Sequence, residues 1–302
     1  MTNPKDIKLK LLGVRGSRPT HKVDLLGHGG NSTSMEFLLE GADYKIFLDG
    51  GSGLAHYGME IGETPKETEF HFLITHTHWD HILGFPFFAP LYNPSNTVNF
   101  YSSQSSTATF NNLFFGLHRA DNLPIPVSKM KATINFQNIA AGSTFKIRDV
   151  DVSCYQINHQ AITLGYRLDY KGGSVAVITD NAPINNGNYM GEGMVEKAKG
   201  REAEFEKEFN DGLVEFLRNC NTVVFDTHFT DENLKPDWGH STPKLALDFC
   251  KKAGVKRLVL FHHAPEDLDD DVRKKVESIK SDAQKAGIEV HAAVEGDVWE
   301  LT

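Results

Sequence analysis

An apolar run, Phe70-His71-Phe72-Leu73-Ile74, leads straight into Thr75-His76-Thr77-His78-Trp79-Asp80-His81, which holds three imidazoles and a carboxylate within six positions. The alternation of the run reads as a buried strand that delivers His76 at its end. His76 and His78 stand two apart, so extended backbone puts both side chains on one face, where they can share one metal ion. Asp80 and His81 begin a new segment. Being adjacent, they point away from the first pair and can serve a second ion.

The rest of the chain must supply a scaffold for such a cluster. With 302 residues, 40% of them hydrophobic and 24% charged, it is long enough for a large core. No Pro/Gly/Ser-rich linker divides it and no internal repeat is visible, so one domain spanning residues 1–302 is expected. The first residues, Met1 to Asp6, contain no apolar stretch of signal-peptide length, and no run reaches the roughly 18 apolar residues of a membrane span. A soluble, cytoplasmic protein with no membrane partner is the expectation. Cys154, Cys220 and Cys250 are too few and too scattered for a thiolate zinc site or a disulfide framework, and read as small buried hydrophobes. The net charge of −9 argues against gripping long nucleic acid by phosphate neutralisation, although a metal pair would supply local positive charge for an anionic substrate.

Strands are expected at Ile7–Val14, Ser34–Leu39, Tyr44–Leu48, residues 97–101, Ala132–Phe136, Thr144–Ile147, Val150–Ile157, Thr163–Leu168, Ser174–Ile178, Thr222–Phe225, Lys256–Phe261, Glu289–Ala293 and Val298–Leu301. Helices are expected at Asn112–His118, at Arg201–Asn219 with Phe205, Phe209, Leu213 and Leu217 on one face, from Ser241-Thr242-Pro243 to Gly254 with Ser241 as N-cap, and through Leu268, Val272, Val276, Ile279 and Ala283. The aromatic stretch Ile82–Tyr92 reads as core packing, with one wall of a pocket as the alternative. Asp49, at the end of a strand, suits either a turn cap or a group that orients a histidine from behind. Strands in both halves with helices between them predict an α/β fold, a four-layer αββα sandwich.

More ligands are needed than the central motif supplies, and strand ends are the place to seek them. His159 follows the strand ending at Ile157, Asp180 follows Val175-Ala176-Val177-Ile178-Thr179, and His262 follows Leu258-Val259-Leu260-Phe261. Thr75–His81 resembles the HxHxDH signature of the metallo-β-lactamase superfamily of dinuclear hydrolases, and the order His159, Asp180, His262 is similar to that of the superfamily's later ligands. The resemblance implies that His76, His78 and His159 bind one ion, that Asp80, His81 and His262 bind the other, and that Asp180 bridges. His262 is favoured over the adjacent His263 because in the superfamily a hydrophobic strand closes directly on the ligand. Imidazole and carboxylate donors without thiolate suit two zinc ions, with manganese and iron as alternatives.

Trp238-Gly239-His240-Ser241-Thr242 resembles the GHST-type element of the phosphodiesterase branch, which includes ribonuclease Z and the phosphonate-pathway cyclic phosphodiesterase. His240 stands just before a helix N-terminus, where it can donate to a phosphoryl oxygen or protonate a leaving alkoxide. The chain has no long Gly/Pro-rich basic insertion of the kind with which ribonuclease Z grasps tRNA. The expectation is therefore a dinuclear phosphodiesterase for a small phosphodiester, a cyclic nucleotide or similar, with Asp80 orienting the attacking hydroxide and His240 serving the leaving group. A tRNA 3′-processing endonuclease, a thioester or lactone hydrolase, and a non-catalytic metal-binding interaction domain are the alternatives. The sequence does not set the oligomeric state, and a homodimer stays among the options.

Overall fold

The computed structural model describes residues 7–62, 67–103, 129–184, 190–191 and 193–301. The helix expected at Asn112–His118 lies outside the described residues. Among the described residues, fourteen strands form two seven-stranded sheets, ordered β14-β1-β2-β3-β4-β5-β6 and β13-β12-β11-β10-β9-β8-β7. The first contains β1 (Ile7–Gly13), β2 (Ser34–Leu39), β3 (Tyr44–Leu48), β4 (Glu69–Leu73), β5 (Thr97–Ser102), β6 (Thr133–Asn138) and β14 (Val298–Glu300). The second contains β7 (Thr144–Ile147), β8 (Val150–Ile157), β9 (Thr163–Tyr170), β10 (Gly173–Ile178), β11 (Thr222–Asp226), β12 (Arg257–Phe261) and β13 (Glu289–Ala292).

Period-two alternation decides which core each side chain joins. On β3, Ile46 and Leu48 face the second sheet, whereas Phe47 faces outward; on β12, Val259 and Phe261 face inward, whereas Leu258 and Leu260 face outward. Both faces of the central strands are therefore buried, which explains their continuous apolar runs. The outer face of the first sheet is covered by α1 (Ser52–Ile61) and by Phe85, Phe88 and Leu91, which pack with Phe47, Phe70, Phe72 and Phe100. Each buried ring of this kind contributes about 1.5–3 kcal/mol. The outer face of the second sheet is covered by α4 (Glu202–Phe216), α5 (Pro243–Ala253) and α6 (Asp269–Ala286), through Leu213, Leu247, Cys250, Ile279 and Ala283. Two short helices, α2 (Trp79–Ile82) and α3 (Val195–Ala198), complete the set among the described residues. The result is the expected αββα sandwich.

Two local expectations change. Helix α1 is not legible in its sequence because Gly53 and Gly58 lower its propensity; Gly53 is needed since a Cβ there would stand 2.1 Å from the Leu12 carbonyl oxygen. The N-cap of α5 is Thr242, whose Oγ1 accepts from the Leu245 amide, not Ser241, whose hydroxyl instead donates to the Asn181 carbonyl. All three cysteines are buried and free. Among the described residues no helix is long and apolar enough to cross a membrane.

Candidate metal centre

Strands β10, β11 and β12 are parallel, and β8 runs in the same direction because β9 is antiparallel to both β8 and β10. Their C-terminal ends therefore share one edge, which collects His159, Asp180, Asp226 and His262. From the other sheet, β4 and the segment after it bring His76 and His78, and α2 adds Asp80 and His81.

His76, His78 and His159 converge, their ligand atoms lying within 4.8 Å of one another. The Nδ1–H of His159 donates to the Gly239 carbonyl at 3.0 Å, which leaves its Nε2 lone pair facing His78 Nδ1 at 3.1 Å. Gly239 has φ +84°, and a Cβ there would stand 2.1 Å from His159 Nδ1, so glycine is required. Burial pushes His76 well below its ordinary value and His159 down to about 4. Neutral imidazoles are the form that binds metal.

Asp80, His81, Asp180 and His262 form the second convergence, again within 4.8 Å. His262 Nε2 lies 3.3 Å from both Asp80 Oδ2 and Asp180 Oδ1, while Asp180 Oδ1 also lies 3.8 Å from His159 Nε2, so this carboxylate faces both groups. Behind His81, Asp49 Oδ2 accepts from Nδ1 at 2.7 Å and is itself fixed by the Thr75 amide and hydroxyl. The Ser17 amide donates to Asp80 Oδ2 at 2.8 Å. Burial opposes ionisation throughout, yet His81 and His262 hold Asp80 and Asp180 well below the carboxylate range. His263 turns away, its Nε2 on the Ala293 carbonyl at 3.0 Å, so His262 alone of the pair faces the cluster.

His240 lies beside both groups. Its Nδ1 contacts Asp226 Oδ2 at 3.0 Å and stands 3.9 Å from Asp180 Oδ1, and its ring stacks on His228 at 4.5 Å. Asp226 also accepts from the Asn181 and His228 amides. Lys275, buried, donates to the Thr227 and His228 carbonyls and fixes that turn. Sequence reasoning did not single out Asp226 or His228 as site residues. The signal was present, since β11 closes on Asp226 as β10 closes on Thr179-Asp180.

The donor set fits divalent cations. His81 Nε2 is 3.2 Å from Asp180 Oδ2, yet neither atom, nor His76 Nε2, makes a well-aligned hydrogen bond, although all three are buried. Buried polar atoms without partners, aimed at one another, are what absent cations leave behind. The groups open onto a cavity of about 540 Å³ lined by His78, Asp80, His159, Asp180 and His240, with Trp79 and Trp238 at its rim.

Residues 70–198 match a family model described as a beta-lactamase superfamily domain. The chain is 22% identical over 286 residues to a protein named Ribonuclease Z from Geobacillus kaustophilus (strain HTA426), covering 85% of this chain and 88% of that one. Among solved structures it is similar to the metallo-beta-lactamase fold protein YhfI from Bacillus subtilis (TM-score 0.69, 18% identity, 97% of this chain and 98% of that one). It is also similar to human tRNase Z, short form (TM-score 0.63, 16% identity, 98% and 99%). These relatives correct the expectation of a small substrate and of no extended nucleic-acid partner, because proteins named for RNA cleavage match across most of the chain. The inference failed because net charge sums over the whole surface, whereas phosphate recognition depends on the local field. The chain therefore has the metallo-β-lactamase fold, carries a match to the beta-lactamase superfamily domain over residues 70–198, and has hydrolases as its relatives, which together support a metal-dependent hydrolase.

Proposed function

We propose that the chain is a dinuclear phosphodiesterase acting on nucleotide-bearing phosphodiesters, in line with the RNA-directed names of its relatives. His76, His78 and His159 would hold one divalent ion, Asp80, His81 and His262 the other, with Asp180 shared. Zinc suits these donors, and manganese or iron would also be accepted. Two such ions supply Lewis acidity toward phosphoryl oxygens and toward an attacking water.

The observation that carries the reading is the placement of His240. Asp226 accepts from its Nδ1 at 3.0 Å, which fixes the ring and leaves Nε2 for the cavity. A proton on that nitrogen is positioned for a leaving alkoxide, which acyl transfer from a thioester would not need. Asp80, held by the Ser17 amide, orients the water, and the buried Asp226, accepting from Nδ1, holds the His240 ring so that a proton carried on Nε2 faces the cavity.

The test compares leaving groups. His240→Ala should lower turnover of precursor tRNA or a dinucleotide by roughly the 10²–10⁴-fold typical of a positioned acid. It should lower turnover of bis(p-nitrophenyl) phosphate far less, with two ions per chain retained. Equal losses on both substrates would remove His240 from acid catalysis, and wild-type hydrolysis of lactones faster than of any phosphodiester would overturn the reading.

A further inference from the structure

We infer that Trp79 and Trp238 form an aromatic rim that stacks on the nucleobase of the substrate beside the metal centre, an inference that rests on the phosphodiesterase reading above. Two of the chain's three tryptophans stand on the edge of the same cavity, 67% and 49% exposed. Two indoles open to water on the edge of one cavity present apolar faces that a flat ring can cover.

Both residues stand in the chain beside the candidate ligands, and the Trp238 ring is also held by its neighbours. Trp79 begins α2 between His78 and Asp80, so residues of both ligand groups flank it. Trp238 precedes Gly239, whose carbonyl receives the His159 proton, and His240. Its turn is tied to the His159 segment by Gln160 Nε2, which donates to the Asp237 carbonyl at 3.2 Å, and Phe229 meets the indole edge-on with centroids 6.1 Å apart. Lys235 Nζ sits 4.2 Å from the Trp238 ring centroid, which braces one face and puts a cation at the rim of an otherwise acidic chain. A phosphoryl group in the centre and a ring on the rim describe a nucleotide. Stacking of this kind tolerates every base, because each presents a π-face.

The experiment uses metal-loaded full-length protein with two esters of the same leaving group, thymidine 5′-(p-nitrophenyl phosphate) and methyl p-nitrophenyl phosphate. The ratio of their kcat/KM values should fall roughly 5- to 150-fold in Trp79→Ala or Trp238→Ala, the range expected for one base stacked on one ring. It should recover in Trp79→Phe and Trp238→Phe. Metal analysis of each variant separates ring loss from damage to the neighbouring ligands. An unchanged ratio in both alanine variants, or phenylalanine variants as impaired as the alanine ones, would overturn the inference. If the wild type cleaves neither ester, the phosphodiesterase reading fails, and binding then decides the rim by itself. Quenching of indole fluorescence should show adenosine monophosphate bound more tightly than ribose 5-phosphate, with the difference lost in the alanine variants; equal affinities would reject the stacking role.

Discussion

The two candidate ligand groups are built differently although they adjoin. His76, His78 and His159 are three imidazoles, one of which, His78, is only partly buried at the cavity mouth, and the group's carboxylate is the borrowed Asp180. Asp80, His81, Asp180 and His262 are all at most 4% exposed and include two carboxylates, with Asp49 and Asp226 behind them at 0%. Opposite charges attract more strongly where water is excluded. The inner group should therefore bind its ion first and release it last, and the outer group should depend on the inner for its negative charge.

That contrast breaks most completely at Asp180. Asp180→Ala should empty both groups and lower turnover by well over the roughly 10- to 100-fold that loss of a supporting residue produces; elemental analysis showing two ions in that variant would remove the shared role. Next in size is the neighbouring pair. His262→Ala should lose the inner ion and most activity, while His263→Ala should keep both ions and lose only the roughly 1–3 kcal/mol of a buried polar contact, read from denaturant unfolding. The reverse order would put the wrong histidine in the cluster. Asp49→Ala, which frees the His81 ring, should weaken the inner ion roughly 10- to 100-fold and leave the outer one nearly as tight, seen by titration of the metal-free protein. The smallest effect is kinetic: dialysis against a chelator should remove ions in two phases, and His78→Ala should accelerate only the first. A single phase in both proteins would mean the groups are equivalent.

Much of this site was legible because each contributing strand closes on its polar residue: Ile157 before Asn158-His159, Ile178 before Thr179-Asp180, Phe261 before His262. The apolar runs marked the strands, and what followed each run marked the edge. Asp226 obeys the same pattern, but it had no motif to draw attention to it. Its work is done through hydrogen bonds to the His228 amide two residues on and to the Asn181 amide and His240, and the last two join residues well apart in sequence. Helix α1 was missed because local propensity opposes it and only packing against β1 and the phenylalanine layer makes it form. The choice of substrate was misread from a chain-wide charge, which carries no information about a cleft.

Asp49, Asp180 and His262 all turn the chain with positive φ, at +55°, +39° and +59°. For residues with a side chain this conformation costs about 1–2 kcal/mol each, and glycine would relieve it. The three positions therefore oppose selection for a robust fold to selection for chemistry. Asp180→Gly and His262→Gly in the metal-free protein should melt higher than the matching alanine variants while being equally inactive. A lineage that no longer used the reaction would have a standing incentive to put glycine there, so glycines at these strand ends in a relative of this chain would mark a scaffold that has given up catalysis.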